Sequence, residues 1–112
     1  MKKRRTIKEI ERILPEVKKI LQELYRDRLL EVILYGSFAR NQATEDSDID
    51  VAVLLKEGDI NPYQEINKTC DALYGLMLET GELVSVLSIS EKEIKSSSWP
   101  LYYHILNEGK RL

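Results

Sequence analysis

The chain contains few of the residues on which metal and redox sites usually depend. Its 112 residues include one cysteine, Cys70, and one histidine, His104. A single cysteine can form no internal disulfide, which is typical of a reducing compartment, and we expect a cytoplasmic location. A zinc site or a catalytic triad built on histidine lacks candidate ligands. We interpret Cys70 as a core residue, because it falls on the apolar side of a predicted helix.

Long apolar runs and an excess of one charge are also missing. No apolar run reaches the ~20 residues of a membrane span, and no hydrophobic segment follows the basic start as in a signal peptide. Charged residues make up 32% of the chain with a formal net charge of -2, so we expect neither membrane nor general nucleic-acid binding. The length predicts a single domain over residues 1–112, with a basic, solvated tail at 1–5.

Apolar positions alternate between helical and strand spacing along the chain. A capping box at Thr6 and Glu9 predicts a first helical region to about Tyr25, which Pro15 either kinks or divides into two helices. The other predicted helices cover 36–41, 62–80, 90–95 and 99–106, and the predicted strands cover 30–35, 49–55 and 83–89. This order predicts a small α/β fold with a three-stranded mixed sheet flanked by helices.

Two apolar groups are assigned to the core. On the helix at 62–80, apolar side chains step by three and four and are predicted to face inward: Tyr63, Ile66, Cys70, Leu73 and Met77. Near the C-terminus lies an aromatic group of Trp99, Tyr102, Tyr103 and His104. We favour a core role for Trp99 and one tyrosine, and an interface is the alternative.

The strongest chemical signal is a pair of aspartates. An apolar run ends at Gly36 and Ser37, and after ten residues Asp48 and Asp50 open a second apolar run. Side chains two apart on a strand share a side with Cα atoms roughly 6.5 Å apart, so the carboxylates can converge. Two charges about 5 Å apart repel by on the order of 3 kcal/mol at an effective dielectric near ~20, which predicts a cation between them. All-oxygen ligands favour Mg²⁺ completed by water and substrate phosphates.

The residues before the aspartates suit the phosphates of such a substrate. Gly36 allows close backbone approach, and Ser37 at the start of a short helix offers a hydroxyl and free N–H groups. Arg40 falls on the same side of that helical turn. Taken singly, each feature has an ordinary explanation as a turn, a cap or a surface residue. Their combination favours a nucleotide site.

The chain carries Gly-Ser, then ten residues, then Asp-x-Asp, with an apolar run before and after. This pattern resembles the signature of the DNA polymerase beta-like nucleotidyltransferase superfamily. Within it, the short chain is similar to the minimal nucleotidyltransferases. The resemblance implies that Asp48 and Asp50 are catalytic and hold Mg²⁺, with two ions when nucleotide is bound. It also implies ATP as substrate, with its phosphates held by Gly36, Ser37 and Arg40.

Three further positions complete the candidate site. Members of the superfamily commonly carry a third carboxylate on a later strand, and the corresponding position here is Ser85. Glu82 is the nearest acid, at the edge of the same predicted strand. Without a third carboxylate the enzyme would be slow, or would bind nucleotide without turnover. Ser47, just before the aspartates, joins the nucleotide-binding candidates.

The resemblance also implies a partner. Minimal nucleotidyltransferases are typically paired with a HEPN-domain ribonuclease toxin, which they can neutralise by adenylylating a tyrosine. We therefore expect Mg²⁺-dependent transfer of AMP from ATP to such a tyrosine, and an antitoxin function. The alternative is a weak or inactive nucleotide-binding module that masks its partner. Transfer to a small molecule such as an aminoglycoside is a weaker hypothesis, because relatives that do this carry an additional domain. Homo-oligomerisation is left open.

Overall fold

A computed structural model describes residues 2–56, 60–96 and 99–112. Its helices are α1 (Ile13–Tyr25), α2 (Gly36–Ala39), α3 (Pro62–Thr80), α4 (Glu91–Ser96) and α5 (Pro100–Glu108), with 3₁₀ turns at Ile7–Glu9 and Arg26–Arg28. Its strands are β1 (Leu29–Tyr35), β2 (Ile49–Leu55), β3 (Val84–Ser90) and β4 (Lys110–Arg111). Within these ranges, no helix combines the length and apolarity needed to cross a membrane. The sequence also predicts a polar connection that contains Gly58 and a break between helices at residues 96–98. Gly58, Ser97 and Ser98 lie outside the described residues.

The strands form one mixed sheet in the order β3-β2-β1-β4. β1 runs antiparallel to β2, and β2 runs parallel to β3 with α3 as the crossover between them. The predicted α/β class and mixed sheet are confirmed, but the sheet has four strands in place of three. The additional strand, β4, pairs with Ile33 and Leu34 of β1 over only two residues. So short a strand has no alternating pattern by which a sequence could indicate it.

β2 is the strand that separates two hydrophobic clusters. All of its residues except Asp50 are buried. On one face, Val51 and Val53 belong to the cluster that α1 and α3 cover. On the other face, Ala52 and Leu54 belong to the cluster that includes residues of α4 and α5. Burial on both faces explains why this strand is continuously apolar in the sequence.

The N-terminal basic segment is not a free tail. Arg4 forms an antiparallel bridge with Thr44, and the Arg5 amide donates to the Ala43 carbonyl at 3.0 Å. The Arg5 guanidinium donates to both carboxylate oxygens of Glu82. The segment therefore ties the loop before β2 to the start of β3. Composition alone indicated a solvated tail, because backbone pairing with a loop leaves no periodic signal.

Pro15 marks the start of the first long helix. It is the third residue of α1, within the first turn, where backbone N–H groups lack an acceptor inside the helix. A separate 3₁₀ turn, Ile7–Glu9, precedes the helix. Two helical segments are therefore present, but they are separated at residues 10–12 and not near Leu14, where the sequence predicted their junction.

The inward face of α3 differs from the one that its apolar spacing predicted. The fully buried residues are Glu65, Thr69 and Leu73. Cys70 is exposed, so its assignment to the core was wrong. Tyr63 and Ile66 were also assigned to the core and are exposed, whereas Leu73 is buried and Met77 packs partly buried against the first cluster.

Polar side chains that find partners within the protein explain this rotation of α3. The Glu65 carboxylate lies 3.8 Å from the Arg28 guanidinium and 3.5 Å from the Lys68 ammonium. The Thr69 hydroxyl donates to the Glu65 carbonyl at 2.9 Å. Buried polar groups are tolerated when they are paired in this way, and residue type alone does not reveal the pairing.

The C-terminal aromatic group is also less buried than predicted. Trp99 is 65% exposed, which contradicts its assignment to the core. Its ring stacks on Tyr102, with ring centres 5.9 Å apart, and Tyr102 packs partly buried against the second cluster. The prediction therefore holds for one tyrosine and fails for the tryptophan.

Two substitutions on α3 test its orientation. Leu73→Ala should lower the free energy of unfolding by about 2–5 kcal/mol, because it leaves a cavity in the core. Cys70→Ala, one residue away, should change it by less than about 0.5 kcal/mol, as expected for an exposed position. Both values can be read from urea unfolding curves. Equal losses in the two variants would contradict this orientation of the helix.

Candidate active site

β1 ends in a turn that requires glycine. Gly36 has a φ of +76°, in the left-handed region that other residues rarely adopt. A Cβ atom at this position would collide with the Oδ2 oxygen of Asp50. The Asp50 carboxylate therefore occupies the space that a side chain at position 36 would need. The sequence predicted both residues in the site, but it could not show that they are in contact.

The strand register places three polar side chains in a row. Tyr35 on β1 lies opposite Asp50, and Ser85 on β3 lies beside Asp50 on the other edge of β2. Paired residues point to the same face of a sheet, so all three line the sheet surface that carries the second cluster. Ser85 thus stands next to Asp50, where the sequence placed it, and offers a hydroxyl in place of a carboxylate.

The electrostatics of this row favour a cation. Burial raises the pKa of Asp50, and the negative charge of Asp48 raises it further, while the positive charge of Arg40 acts in the opposite direction. Burial, aided by the charge of Asp50, raises the pKa of Tyr35 to about 12. The tyrosine hydroxyl therefore remains protonated at neutral pH. Keeping both aspartates ionised carries a free-energy cost that a bound cation would remove.

A cleft of about 280 Å³ opens beside Asp50. One wall consists of Tyr35, Gly36, Ser37, Arg40 and Asp50, which brings together most of the predicted nucleotide-binding residues. The α5 residues Leu101, His104 and Glu108 complete the lining, and the sequence did not place them in the site. Their spacing indicates only one face of a helix, and the position of that helix depends on distant packing, such as the buried Ile105 in the second cluster.

A second groove, of about 360 Å³, contains the other aspartate. Asp48 and Ser85 line this groove. Most of the other lining residues are apolar and belong to α3, to β3 or to the residue just before β3: Ile66, Met77, Leu83 and Val86. Asp50 thus borders the cleft beside the Gly36 turn and Asp48 borders the groove beside α3, and the two lie close enough for the charge of Asp48 to raise the pKa of Asp50.

Two predicted site residues have other structural roles. The Ser47 hydroxyl accepts a hydrogen bond from the Thr44 amide at 2.9 Å and closes a turn in the loop before β2. The Glu82 carboxylate is held by Arg5, as described above. Neither residue lines the cleft or the second groove. Glu82 is therefore not positioned to replace the third carboxylate.

The aspartate pair fits a hard cation that brings other ligands with it. Among residues 2–56, 60–96 and 99–112, no cluster of three or more histidine, cysteine, aspartate or glutamate side chains could hold a metal ion. Asp48 and Asp50 supply carboxylate oxygens only. This donor set suits Mg²⁺, which usually retains waters and binds substrate phosphates in addition to one or two carboxylates.

A left-handed glycine turn in contact with an aspartate of the neighbouring strand, at the edge of a cleft, is the arrangement of a nucleotide-handling α/β domain. The chain belongs to the nucleotidyltransferase domain family, whose model matches residues 14–109. A Methanocaldococcus jannaschii protein, provisionally named a protein adenylyltransferase, is 31% identical over 103 residues, or 91% of this chain and 96% of that protein. Protein adenylyltransferase MntA of Thermococcus cleftensis is 37% identical over 75 residues, or 66% and 74% of the two chains.

Solved structures share the fold. One, described provisionally as a minimal nucleotidyltransferase, has a TM-score of 0.58 and 24% identity, and the match covers 92% of this chain and 95% of that one. A toxin–antitoxin structure with AMP-PNP has a TM-score of 0.58 and 23% identity over 87% of this chain and 69% of that one. The predicted nucleotidyltransferase fold and family are confirmed.

Two glycine substitutions test the contact between Gly36 and Asp50. Gly36→Ala should lower the free energy of unfolding by about 1–3 kcal/mol, because the new methyl group meets the carboxylate and the backbone angle is strained. Gly75→Ala is the matched control, since a Cβ there enters open space within α3. It should raise stability by about 0.5–1 kcal/mol. Chemical denaturation measures both, and a Gly36→Ala variant as stable as the wild type would contradict the contact.

The raised pKa of Asp50 predicts that its charge destabilises the cation-free protein. In Mg²⁺-free buffer near neutral pH, Asp50→Asn should raise the melting temperature by a few degrees, because the amide is uncharged. Because the pKa of Asp50 is higher in the folded protein than in the unfolded chain, ionisation of Asp50 lowers the free energy of unfolding. This loss is absent below the unfolded-state pKa and complete above the folded-state pKa. The difference in melting temperature between Asp50→Asn and the wild type should therefore disappear on acidification.

Asp71→Asn is the control for this experiment, because it removes an exposed acid on α3 outside the cleft. Its melting temperature should stay close to that of the wild type. Thermal scans over a pH series test both variants. A lower melting temperature for Asp50→Asn near neutral pH would show that the carboxylate is stabilising in the free protein.

Proposed function

We propose that this chain transfers AMP from ATP to a tyrosine hydroxyl of a HEPN-domain toxin and acts in the cytoplasm as its antitoxin. The observation that carries the proposal is the cleft in which the Gly36 turn meets Asp50. Family membership supports nucleotidyl transfer. The names of the relatives, which include protein adenylyltransferase MntA, support a protein acceptor. The toxin–antitoxin neighbour with AMP-PNP supports a toxin partner and an adenine nucleotide.

In the proposed reaction, the acceptor hydroxyl loses its proton to solvent and its oxygen forms a bond to the α-phosphorus of ATP. The bond between that phosphorus and the bridging oxygen breaks, and pyrophosphate leaves. Mg²⁺ held by Asp48 and Asp50 would neutralise charge on the reacting phosphates. Ser37 donates hydrogen bonds to phosphate oxygens, and the Arg40 guanidinium pairs with their charge. Gly36 lets the phosphates approach the backbone closely.

The second groove supports a protein acceptor. In phosphoryl transfer the attacking and leaving oxygens lie roughly in line on opposite sides of phosphorus. The cleft beside Asp50 contains the phosphate-binding turn, so the groove beside Asp48 is left for the acceptor. Two large apolar side chains that line this groove are exposed, Ile66 of α3 by 50% and Leu83, just before β3, by 63%. Tyr63, Tyr74 and Leu78 are further exposed apolar side chains of α3. Surfaces of this kind commonly contact other proteins.

One observation favours a second candidate function. Ser85 stands beside Asp50 where a third carboxylate would complete the site, and Glu82 is bound to Arg5. In this case the cleft binds nucleotide with little turnover, and the protein neutralises its partner by covering it. Substitution of the aspartates would then leave neutralisation intact.

Transfer of radioactive label tests the enzymatic proposal. α-Labelled ATP and Mg²⁺ are added with the purified chain to lysate of the source cells, and we expect label on a discrete protein. Asp50→Asn should reduce the labelling by about 100-fold or more, because it removes a group that stabilises the transition state. Asp71→Asn should label as the wild type does. γ-Labelled ATP should give no label that depends on the added chain, because that phosphate leaves within pyrophosphate.

Other outcomes separate the alternatives. Label from γ-labelled ATP that appears with the wild-type chain and is lost with Asp50→Asn would identify phosphate transfer and overturn the proposal. No label, together with Mg-ATP binding and toxin neutralisation that survives Asp48→Asn and Asp50→Asn, would establish the masking module. Label on an added aminoglycoside, with none on protein, would favour a small-molecule acceptor.

A further inference from the structure

The wall that α5 contributes to the cleft carries two ionisable side chains. His104 and Glu108 line the same cleft as Ser37 and Arg40, the residues proposed above to bind phosphate. The mechanism proposed above uses neither of them. Both are partly exposed, with side-chain exposures of 49% and 42%, so a ligand in the cleft can reach them.

The imidazole of His104 has a defined orientation. Its Nδ1 atom lies 3.1 Å from the Oε1 atom of Glu108, one helical turn further along α5. The ring of Tyr103 packs edge-on against the imidazole, with ring centres 5.7 Å apart. With Nδ1–H donating to the carboxylate, Nε2 is the nitrogen left to contact a ligand.

The size of the cleft indicates which part of a nucleotide it holds. Its volume of about 280 Å³ is at the lower limit of the ~300–1,000 Å³ typical of pockets that enclose a drug-sized ligand. A phosphate tail fits such a space better than a whole nucleotide does. The cleft also contains the glycine turn. In the proposed reaction the acceptor occupies the groove beside Asp48, so pyrophosphate leaves on the opposite side, through this cleft.

The charges around the cleft support a polyanionic ligand. Arg40 is a cation on one wall, and His104 supplies a donor on the other. Of the two acids in the cleft, Glu108 is engaged by His104, and Asp50 is assigned to the metal ion in the proposed function. A phosphate oxygen at Nε2 would give the imidazole an anionic partner at each of its two nitrogens.

We propose that His104, oriented by Glu108, binds the terminal phosphates of ATP and the pyrophosphate that leaves. The inference rests on the proposed function for the identity of the nucleotide. It assigns to α5 the wall of the site that holds the leaving group.

Equilibrium binding of ATP, pyrophosphate and AMP tests this assignment, because AMP lacks the terminal phosphates. In the presence of Mg²⁺, His104→Ala should weaken ATP and pyrophosphate binding by about 10-fold or more, as expected for loss of a charged hydrogen bond. AMP binding should change less than about 2-fold, since the contact is absent from that complex. His104→Lys, which restores a cationic donor, should recover most of the affinity. Lys92→Gln on α4 is the control for loss of an exposed cation elsewhere, and it should bind all three ligands as the wild type does.

The outcomes distinguish this inference from the function on which it rests. If the wild type binds ATP and His104→Ala binds it equally well, the inference fails and the proposed function stands. An equal loss of ATP and AMP affinity also overturns the inference, because it places the effect of His104 away from the terminal phosphates. A wild type that binds neither ATP nor pyrophosphate overturns both. None of these measurements depends on turnover.

Discussion

The contact between the Asp50 carboxylate and the backbone of Gly36 determines the arrangement of the whole site. It requires the left-handed turn at the end of β1 and the antiparallel register that sets Tyr35 opposite Asp50. The turn directs Ser37 and Arg40 into the cleft, and the register brings Ser85 beside the aspartate from the other neighbouring strand. Displacing β2 by one residue would point Asp50 to the opposite face of the sheet and dismantle the cleft.

Features that depend on local pattern could be predicted from the sequence. β2 was predicted with its observed bounds, because burial on both faces makes it a continuous apolar run between turns. Asn61 caps α3, since its side chain accepts hydrogen bonds from the amides of Tyr63 and Gln64. An asparagine directly before a proline is a local signal of such a helix start. The aspartate pair and the Gly-Ser turn were recognisable because their chemistry requires particular residues at a particular spacing.

Features that depend on distant contacts could not be predicted. The orientation of α3 follows from the pairing of Glu65 with Arg28 and Lys68, which turns a carboxylate inward and leaves Cys70 outside. The position of His104 in the cleft depends on how α5 packs against β1 through Ile105. Such contacts join residues that are far apart in the chain, and no local periodicity encodes them.

The burial of β2 on both faces has a consequence for how the site can change over evolution. This strand is paired along both edges and covered on both faces, so its backbone can move only when much of the domain opens. The aspartate at its start therefore keeps its position whether or not a substrate is present, and little reorganisation is needed during reaction. The exposed faces of α3 and α5 carry no such restriction. Substitutions on these helices can alter partner choice or ligand affinity while the chemistry at the strand is preserved.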